Sequence, residues 1–379
     1  MHDSHQNELR DPLHLMTSRK LRITFVIPRD DLSGGCRMVA TYAKLLQRRG
    51  HTVKVVSGVP GQLPFHERIR AIWRGEWKHA FSFEKPLAGH ATQPEVTLTT
   101  VARSTGFLPS ELPDADVLIA TWWIVAQWLD SMPQSKGVRI HFVQNYEIWG
   151  GSSDQVDAAY RINSPKITTT RWLEDLLRNE FGQKIVALVP NSVDLTLFNA
   201  PPRSKNGIPT IGFVYNYFKP KGCDIIAEAI DLARQQCPAF RVKCFGSVNP
   251  TPHMPLPRNV EFHYRPPQAT IRDIYASCDA WLFGSRKDGF GLPLIEAMAC
   301  RTPVIATPAG AAPELLLHGG GILVKPDARS MADAILAICD MPDSEWNVMS
   351  HAAFAAVSGY ALEDACNLFE TALLKATAN

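Results

Sequence analysis

The sequence predicts an α/β protein built of two doubly wound domains, each with a parallel sheet. Short apolar runs alternate with helical patterns along the 379 residues, and this alternation is typical of parallel sheets covered by helices. Near the start, the run Leu21–Ile27 is followed by a glycine-containing loop, a helical pattern through Arg49 and a second run at Thr52–Ser57. A strand–helix–strand unit of this kind forms a right-handed crossover between parallel strands.

Both halves of the chain contain further runs of this type, which are the near-continuous apolar strands of buried parallel sheets. In the first half we expect strands at Val96–Val101, Val117–Thr121, Arg139–Gln144, Lys166–Thr170 and Ile185–Val189, and a helix at Arg171–Phe181. In the second half we expect strands at Thr210–Tyr215, Phe240–Phe245, Val260–Tyr264, Ala280–Phe283 and Pro303–Thr307, and helices at Asp224–Gln236, Ile271–Ser277 and Leu292–Cys300.

A segment rich in Pro, Gly and Ser, Asn199–Pro209, separates the two halves and indicates a linker. We therefore predict a loose tail at residues 1–20, an N-terminal domain at 21–199, a linker at 200–209 and a C-terminal domain at 210–360. The helical pattern of residues 361–379 can pack at several places, including back across the linker. Two such domains form a cleft, and ligands bind beyond the carboxyl ends of the strands.

Composition excludes several classes of protein. Hydrophobic residues make up 45% and charged residues 20% of the chain, which excludes disordered and fibrous proteins. Lys and Arg number 39 against 37 Asp and Glu, a net charge of +2 that gives no basic excess for nucleic-acid binding. No apolar run approaches the ~20 residues of a membrane span, and residues 1–20 lack the core of a secretory signal, so we expect a cytoplasmic protein. The eight cysteines form no C-x-x-C pair and no metal-ligand pattern, which predicts buried reduced thiols and no bound metal.

The segment Pro64–Gly89 carries five aromatic residues among five cations. Two interpretations stay open for it. Either its aromatic side chains face the protein core, as is usual in helices, or they contact the inner face of a membrane.

The densest chemical signal is the stretch from Asp288 to Glu296. Gly289 and Gly291 precede a helix that we expect to begin at Leu292. Glycine lets backbone N–H groups approach a bound group closely, and a helix N-terminus attracts anions, which together favour a diphosphate. The two carboxylates have seven residues between them, and both can project into the cleft, where they accept hydrogen bonds from sugar and ribose hydroxyls. Alternatively, the Asp288 carboxylate only complements the dipole of this helix and binds no ligand.

This stretch, Asp288-Gly-Phe-Gly-Leu-Pro followed by Glu296, resembles the signature of retaining GT-B glycosyltransferases, in particular family 4 of the group 1 glycosyl transferases. The resemblance covers almost the whole chain, through Gly34-Gly35, Arg49-Gly50-His51, Val189–Asp194, Phe213–Gly222 and Ala309–Glu314 in the family's order. It implies the GT-B fold of two Rossmann-like domains facing across a cleft, in which the domain at 21–199 binds the acceptor and the domain at 210–360 binds the nucleotide-sugar donor. It also implies a metal-independent, retaining transfer of a sugar from a nucleotide-diphosphate donor to a saccharide or lipid-linked saccharide acceptor, with no cofactor.

The resemblance also implies roles for single residues. Lys221 neutralises the donor diphosphate, Glu296 accepts hydrogen bonds from the ribose, and Asp288 lies near the hydroxyls of the donor sugar; with Asn145, these are the candidate catalytic residues. The candidate donor-binding residues are Gly34, Gly35, Tyr215, Asn216, Arg265, Arg286, Gly289, Phe290, Gly291 and Leu292.

The sequence departs from the family on the donor side at two positions. Tyr215 stands where the family has an arginine, six residues before Lys221, so one cation of the diphosphate site is missing from its usual place. Arg286, Lys219 or Lys287 can replace it, and a mere surface arginine is the alternative for Arg286. Asp288 is one methylene shorter than the family's glutamate, which we expect to alter the sugar preference.

A third departure is on the acceptor side, in the run Val143–Gly150. It resembles a family subset with the letters VQDYE, and Asn145 takes the place of the aspartate. Asparagine cannot act as a general base, so Asn145, Tyr146 and Glu147 are candidates only for sugar or acceptor contacts. We expect acceptor recognition in the N-terminal loops, including Pro64–Gly89 and Gly150–Tyr160.

Two alternatives to a glycosyltransferase remain. One is another GT-B enzyme, such as a nucleotide-sugar epimerase or a phosphorylase. The other is a binding subunit that keeps the fold without the chemistry, which Tyr215 and Asn145 favour.

Overall fold

The structure of this chain is a computed structural model, which describes residues 19–58, 89–102 and 105–378. Two parallel sheets follow each other along the described chain, and helices accompany both. This arrangement confirms the predicted fold class. The segment Pro64–Gly89, with its two interpretations, lies outside the described residues except for Gly89.

The first sheet has seven parallel strands among the described residues, in the order β3-β2-β1-β4-β5-β6-β7. The strands are β1 (Arg22–Ile27), β2 (Thr52–Gly58), β3 (Leu98–Val101), β4 (Val117–Ala120), β5 (Val138–Val143), β6 (Lys166–Thr168) and β7 (Val186–Leu188). The helices are α1 (Gly34–Arg48), α2 (Trp123–Asp130), α3 (Ser153–Arg161) and α4 (Arg171–Asn179). The order reverses between β1 and β4, so a crevice is expected beyond their carboxyl ends.

The second sheet has six parallel strands in the described part of the chain, in the order β10-β9-β8-β11-β12-β13. The strands are β8 (Thr210–Tyr215), β9 (Arg241–Gly246), β10 (Val260–Tyr264), β11 (Ala280–Phe283), β12 (Val304–Ala306) and β13 (Gly321–Leu323). The helices are α5 (Cys223–Gln236), α6 (Gln268–Ala276), α7 (Leu292–Ala299), α8 (Ala312–Leu315), α9 (Ala328–Asp340), α10 (Asp343–Val357) and α11 (Leu362–Ala376).

Two segments differ from the sequence-based prediction because of local capping. Gly34 and Gly35 were expected in a loop but form the first turn of α1, since the Ser33 hydroxyl accepts a hydrogen bond from the Cys36 amide at 3.3 Å and caps the helix. The expected loop at Gly150–Tyr160 contains α3, which begins with a capping box between Ser152 and Gln155. The eight cysteines are free thiols, and six of them are buried.

The last helix of the described chain, α11, packs against the first domain. The ring of Phe369 is fully buried, with its centroid 4.2 Å from the ring of Tyr42 and 5.2 Å from that of Phe142. The Glu370 carboxylate lies 2.7 Å from the Arg49 guanidinium and 2.8 Å from His51 Nε2. The end of the chain therefore stabilises the sheet domain formed by its beginning.

A buried carboxyl group, Glu147, holds the start of α2. Its Oε2 atom accepts a hydrogen bond from the backbone N–H of Trp123 at 3.0 Å and lies 3.4 Å from the hydroxyl of Tyr160. The side chain of the preceding residue, Trp122, does not cap this helix. Glu147 is 5% exposed, and burial raises its pKa to about 8. The group that the sequence proposes as an acceptor contact is therefore enclosed by the fold.

We predict that Phe369→Ala weakens the first domain although the residue belongs to the last helix. Removing a fully buried phenylalanine costs ~3–5 kcal/mol, because packing is lost and a cavity remains. Leu368→Ala is the matched control, since Leu368 is the next residue and is 49% exposed. The free energy of unfolding, measured in urea, should fall for the Phe369 variant and barely change for the control. Equal small effects would show that α11 does not support the domain.

We predict that Glu147→Gln removes a pH dependence of stability. The folded protein holds the Glu147 proton up to a pKa of about 8, whereas the unfolded chain releases it near the ordinary value of 4.5. The folded state therefore binds more protons in that window, and stability decreases as the pH rises through it. Urea unfolding at about pH 5 and about pH 8 should show a smaller decrease for Glu147→Gln than for the natural chain. The exposed Glu345→Gln is the control, and parallel curves for all three proteins would contradict the prediction.

Candidate active site

The turn between β11 and α7 forms the centre of the site. Gly291 has a φ angle of 92° and, having no side chain, caps α7 with its backbone, whose carbonyl oxygen accepts a hydrogen bond from the Leu294 amide at 2.9 Å. Leu292 and Pro293 begin the helix. Unbonded N–H groups at a helix N-terminus attract an anion. The turn therefore has the geometry that the sequence predicts for it.

Lys221 meets this turn from a neighbouring strand of the same sheet. It ends a short 3₁₀ turn at Lys219–Lys221 after β8, and Gly222 then begins the approach to α5 with a φ angle of 65°. A Cβ at Gly222 would collide with the carbonyl oxygen of Gly284, so the two loops lie in direct contact. The Lys221 ammonium is 2.7 Å from Asp288 Oδ2. The structure thus brings together the predicted cation and the first carboxylate.

Glu296 lies one helical turn inside α7 and connects the two domains. Its carboxylate is buried, and Oε2 accepts a hydrogen bond from the Tyr275 hydroxyl at 2.8 Å. The other oxygen, Oε1, forms an ion pair with the guanidinium of Arg37, which belongs to α1 of the first domain. Arg37 is not among the site residues that the sequence predicts. A signal was available, because a cation in the first turn of a helix is disfavoured by the helix dipole and so points to a partner elsewhere.

The first turn of α1 faces the second domain. A Cβ built on Gly34 would lie 3.0 Å from Leu292 Cδ1, so any side chain at this position would crowd the start of α7. A Cβ on Gly35 would lie 3.4 Å from Nε2 of Gln144, which follows β5. Gly34 therefore lies opposite the turn that begins α7, and Gly35 lies beside Gln144 of its own domain.

The Gly289 backbone docks against the carboxyl edge of the first sheet. Its carbonyl oxygen accepts hydrogen bonds from the Thr170 hydroxyl at 3.2 Å and from Trp172 Nε1 at 3.1 Å. A Cβ at Gly289 would collide with the carbonyl oxygen of Gln144. The next residue, Phe290, is buried with a ring centroid 6.2 Å from that of Tyr360. The two domains therefore touch at the turn itself.

Three of the other candidate donor residues serve contacts within the second domain. Tyr215 is 1% exposed, and its hydroxyl donates to the Met254 carbonyl at 2.7 Å, so this side chain holds a loop. The Asn216 amide oxygen accepts a hydrogen bond from the Phe218 amide at 2.8 Å. Arg265 is exposed, and its Nε donates to the Ser247 carbonyl at 2.8 Å.

Arg286, the first candidate for the missing cation, is paired elsewhere. Its two terminal nitrogens contact the two carboxylate oxygens of Asp224, each at 2.7 Å. This hydrogen-bonded pair lies at the surface, with about a third of each side chain exposed. Lys219 and Lys287 are both exposed.

The loop after β5 carries the candidate acceptor residues. The Asn145 side chain accepts a hydrogen bond from the Tyr146 amide at 2.9 Å, and the Tyr146 hydroxyl donates to Asp157 at 2.6 Å. Burial and Asp157 raise the pKa of Tyr146 to about 12. Further along, Trp149 packs edge to face on Phe218 of the second domain, with ring centroids 5.7 Å apart. Asn145 and Tyr146 are half-buried near this contact, whereas the Glu147 carboxylate is enclosed.

Residues 19–58, 89–102 and 105–378 contain neither a cluster of metal ligands nor a membrane-spanning helix. No group of three or more His, Cys, Asp or Glu side chains among them is placed to hold a metal ion. No helix in the same ranges is long and apolar enough to cross a lipid bilayer.

Comparison with known sequences points to the second domain. Residues 208–341 match the family described as "Glycosyl transferases group 1". The chain is 26% identical over 219 residues to D-inositol 3-phosphate glycosyltransferase from Thermobispora bispora, a match that covers 51% of each protein. It is 30% identical over 106 residues to N-acetyl-alpha-D-glucosaminyl L-malate synthase from Bacillus anthracis, covering 27% of this chain and 28% of that one. The chain thus spans about half, or less, of the length of these curated relatives.

Comparison with solved structures covers nearly the whole chain. Sucrose-phosphate synthase from Thermosynechococcus elongatus is similar with a TM-score of 0.68 at 18% identity, over 93% of this chain and 98% of that one. HepE from Anabaena, solved in complex with UDP-glucose, is similar with a TM-score of 0.67 at 17% identity, over 93% and 99%. These likenesses establish the fold. The chain has the two-domain GT-B fold, and residues 208–341 of its second domain match the group 1 glycosyl transferase family.

Proposed function

We propose that this protein is a retaining glycosyltransferase that transfers a sugar from a nucleotide-diphosphate donor to a saccharide or lipid-linked saccharide acceptor, without a metal ion. The observation that carries the proposal is the meeting of Lys221, Asp288 and the N-terminus of α7 where the two domains touch. An ammonium group beside a helix N-terminus suits a diphosphate, because both stabilise negative charge. The group 1 domain at residues 208–341 and the HepE complex with UDP-glucose support a nucleotide sugar as donor.

In the proposed reaction, the bond between the sugar's anomeric carbon and the diphosphate oxygen breaks. The acceptor hydroxyl forms its bond to the same face of that carbon, and its proton passes to the leaving diphosphate. Negative charge therefore grows on the diphosphate, where Lys221 and the N-terminus of α7 stabilise it. Asn145 is not required as a base, because the leaving group takes the proton. Since electrostatic stabilisation comes from these groups, the protein's main further task is to hold the acceptor in place.

The Lys221–Asp288 pair gives each residue a defined role in this proposal. Asp288 holds the ammonium beside the turn before the donor arrives, because its Oδ2 lies 2.7 Å from Lys221 Nζ. Its carboxylate has further lone pairs, which accept hydrogen bonds from the hydroxyls of the donor sugar. Glu296 keeps lone pairs for the ribose although Arg37 and Tyr275 already bind its two oxygens. The donor site is thus preorganised by ion pairs.

The acceptor side of the proposal rests on the loop after β5. Asn145 and Tyr146 are half-buried polar residues there, and Trp149 reaches the second domain. Aromatic side chains offer broad apolar faces with defined geometry, which suit the faces of a sugar ring. We place the acceptor at this loop, and we include in the proposal a cytoplasmic enzyme that contacts the membrane surface when its acceptor is lipid-linked.

A second candidate function is a binding subunit without catalysis. The observations that favour it are the burial of Tyr215 in place of the family's arginine and the asparagine at position 145. Such a protein would bind the nucleotide sugar and transfer nothing. A nucleotide-sugar epimerase would differ from both, since it converts the donor in the absence of any acceptor.

We predict that a nucleoside diphosphate raises the thermal stability of this protein. A ligand that binds only the folded state contributes ~2.7 kcal/mol at a concentration of 100 Kd. UDP, GDP, ADP and dTDP, tested by differential scanning fluorimetry and then calorimetry, identify the base. The matching nucleotide sugars, offered with and without saccharide acceptors, identify the product by NMR, whose anomeric coupling reports retention. An absence of binding by all four nucleotides would contradict the proposed function.

We predict that Lys221→Met lowers kcat/KM for the donor by about 10- to 100-fold, because one charge-assisted contact to the diphosphate is worth ~1.5–3 kcal/mol. Lys325→Met is the control, since Lys325 is an exposed lysine of the same domain outside the site. Binding without any turnover in the natural chain would favour the non-catalytic subunit. Turnover that is equal in both variants would remove Lys221 from the mechanism.

A further inference from the structure

We propose that Arg37 is a donor-binding residue, and that its guanidinium supplies from the first domain the diphosphate cation that Tyr215 does not supply from the second. This inference rests on the proposed function and adds to it a residue that the sequence resemblance does not assign. Two cations then flank the same turn, one from each domain. Lys221 contacts Asp288 at the start of the turn, and Arg37 contacts Glu296 one helical turn after it.

The position of Arg37 follows from the contact between α1 and α7. Gly34 faces Leu292 so closely that a Cβ on the glycine would lie 3.0 Å from the leucine side chain. Arg37 comes three residues after Gly34, and Glu296 comes four residues after Leu292. Residues at these spacings lie on the same face of a helix. The ion pair is therefore the next layer of the same interface between the domains.

The guanidinium keeps donors for a second acceptor. Among the described residues, the Arg37 side chain bonds only to Glu296 Oε1, through the single nitrogen Nη2. A quarter of the side chain is exposed, whereas the Glu296 side chain is 5% exposed. Guanidinium has five N–H donors in a planar fork, so it can bind a carboxylate on one side and a phosphate on another. Glu296, held in turn by Tyr275, fixes the direction of the fork.

The other cations near the turn are less suited to this role. Both terminal nitrogens of Arg286 contact the Asp224 carboxylate. This ion pair at the surface would have to break before Arg286 could reach a diphosphate. Arg37 needs no such exchange. Its place in the first turn of α1 is unfavourable for the helix dipole, and an anion beside it would relieve that cost.

The alternative is that Arg37 acts only as a latch between the domains, through Glu296. The two roles differ in a measurable way. A latch acts equally on every ligand of the cleft, and its effect vanishes when Glu296 can no longer pair with it. A residue that binds the diphosphate strengthens the binding of a nucleoside diphosphate but not of the matching nucleoside. This difference in affinity remains when Glu296 is neutral.

The test compares the natural chain with Arg37→Met, Arg37→Lys and Arg48→Met by isothermal titration calorimetry. Arg48 is the matched control, because it is an exposed arginine in the last turn of the same helix. The probes are inorganic pyrophosphate, the nucleoside diphosphate that binds best among UDP, GDP, ADP and dTDP, and its nucleoside. We expect Arg37→Met to weaken both diphosphates by about 10- to 100-fold and the nucleoside by less than about 3-fold. Arg37→Lys should recover part of the loss, and Arg48→Met should match the natural chain.

A second comparison places Arg37→Met in a Glu296→Gln background. We expect the loss of diphosphate affinity to remain about 10-fold or more there, and a loss that disappears would identify a latch and overturn the proposal. If the natural chain binds a nucleoside diphosphate and Arg37→Met leaves that affinity unchanged, the proposed role of Arg37 is overturned while the proposed function stands. Arg37-dependent binding of pyrophosphate without binding of any nucleotide would support Arg37 as an anion ligand and reject the proposed function. Thermal unfolding of each variant verifies that it is folded.

Discussion

The docking of one turn, Gly289–Leu292, against the carboxyl edge of the first sheet is the constraint on which the site depends. The Gly289 carbonyl is held by Thr170 and Trp172, and its α-carbon leaves no room for a side chain beside Gln144. Because this contact fixes how α7 faces α1, it also determines which groups of one domain can reach those of the other. The ion pairs at the site lie on either side of it.

The charges around this turn form an arrangement that is satisfied without a ligand. Each cation has a carboxylate partner, Lys221 with Asp288 and Arg37 with Glu296. Cations paired in this way are oriented in advance, and the carboxylates retain lone pairs for hydroxyl groups. Under the proposed function, donors oriented in this way need little reorientation to bind an anion, which is the condition for effective electrostatic stabilisation. This follows for any nucleoside diphosphate and does not depend on its base.

The fold also shows why some polar residues near the site have structural contacts and not the functional contacts that the sequence suggests. Glu147 resembles an acceptor ligand in the sequence, yet its carboxyl group is enclosed because α2 begins without a side-chain cap and needs an acceptor for its first N–H groups. Tyr215 stands where the family has a donor-binding arginine, yet its ring is buried in the core and its hydroxyl donates a hydrogen bond to the Met254 carbonyl in a neighbouring loop. In both cases, burial decides the role, and burial depends on contacts between distant segments.

Local sequence patterns are sufficient to predict the two parallel-sheet domains and the turn at Asp288–Leu292, because strand periodicity, glycines and a helix start are local properties. Strands β8, β10 and β11 lie where the apolar runs predicted them. Only the tertiary structure decided the partners of the charged side chains. Arg37 and Glu296 are 259 residues apart, and Arg286 pairs with Asp224 of α5 across 62 residues. Such pairings depend on how the two domains and their helices approach each other, which no local pattern of residues specifies.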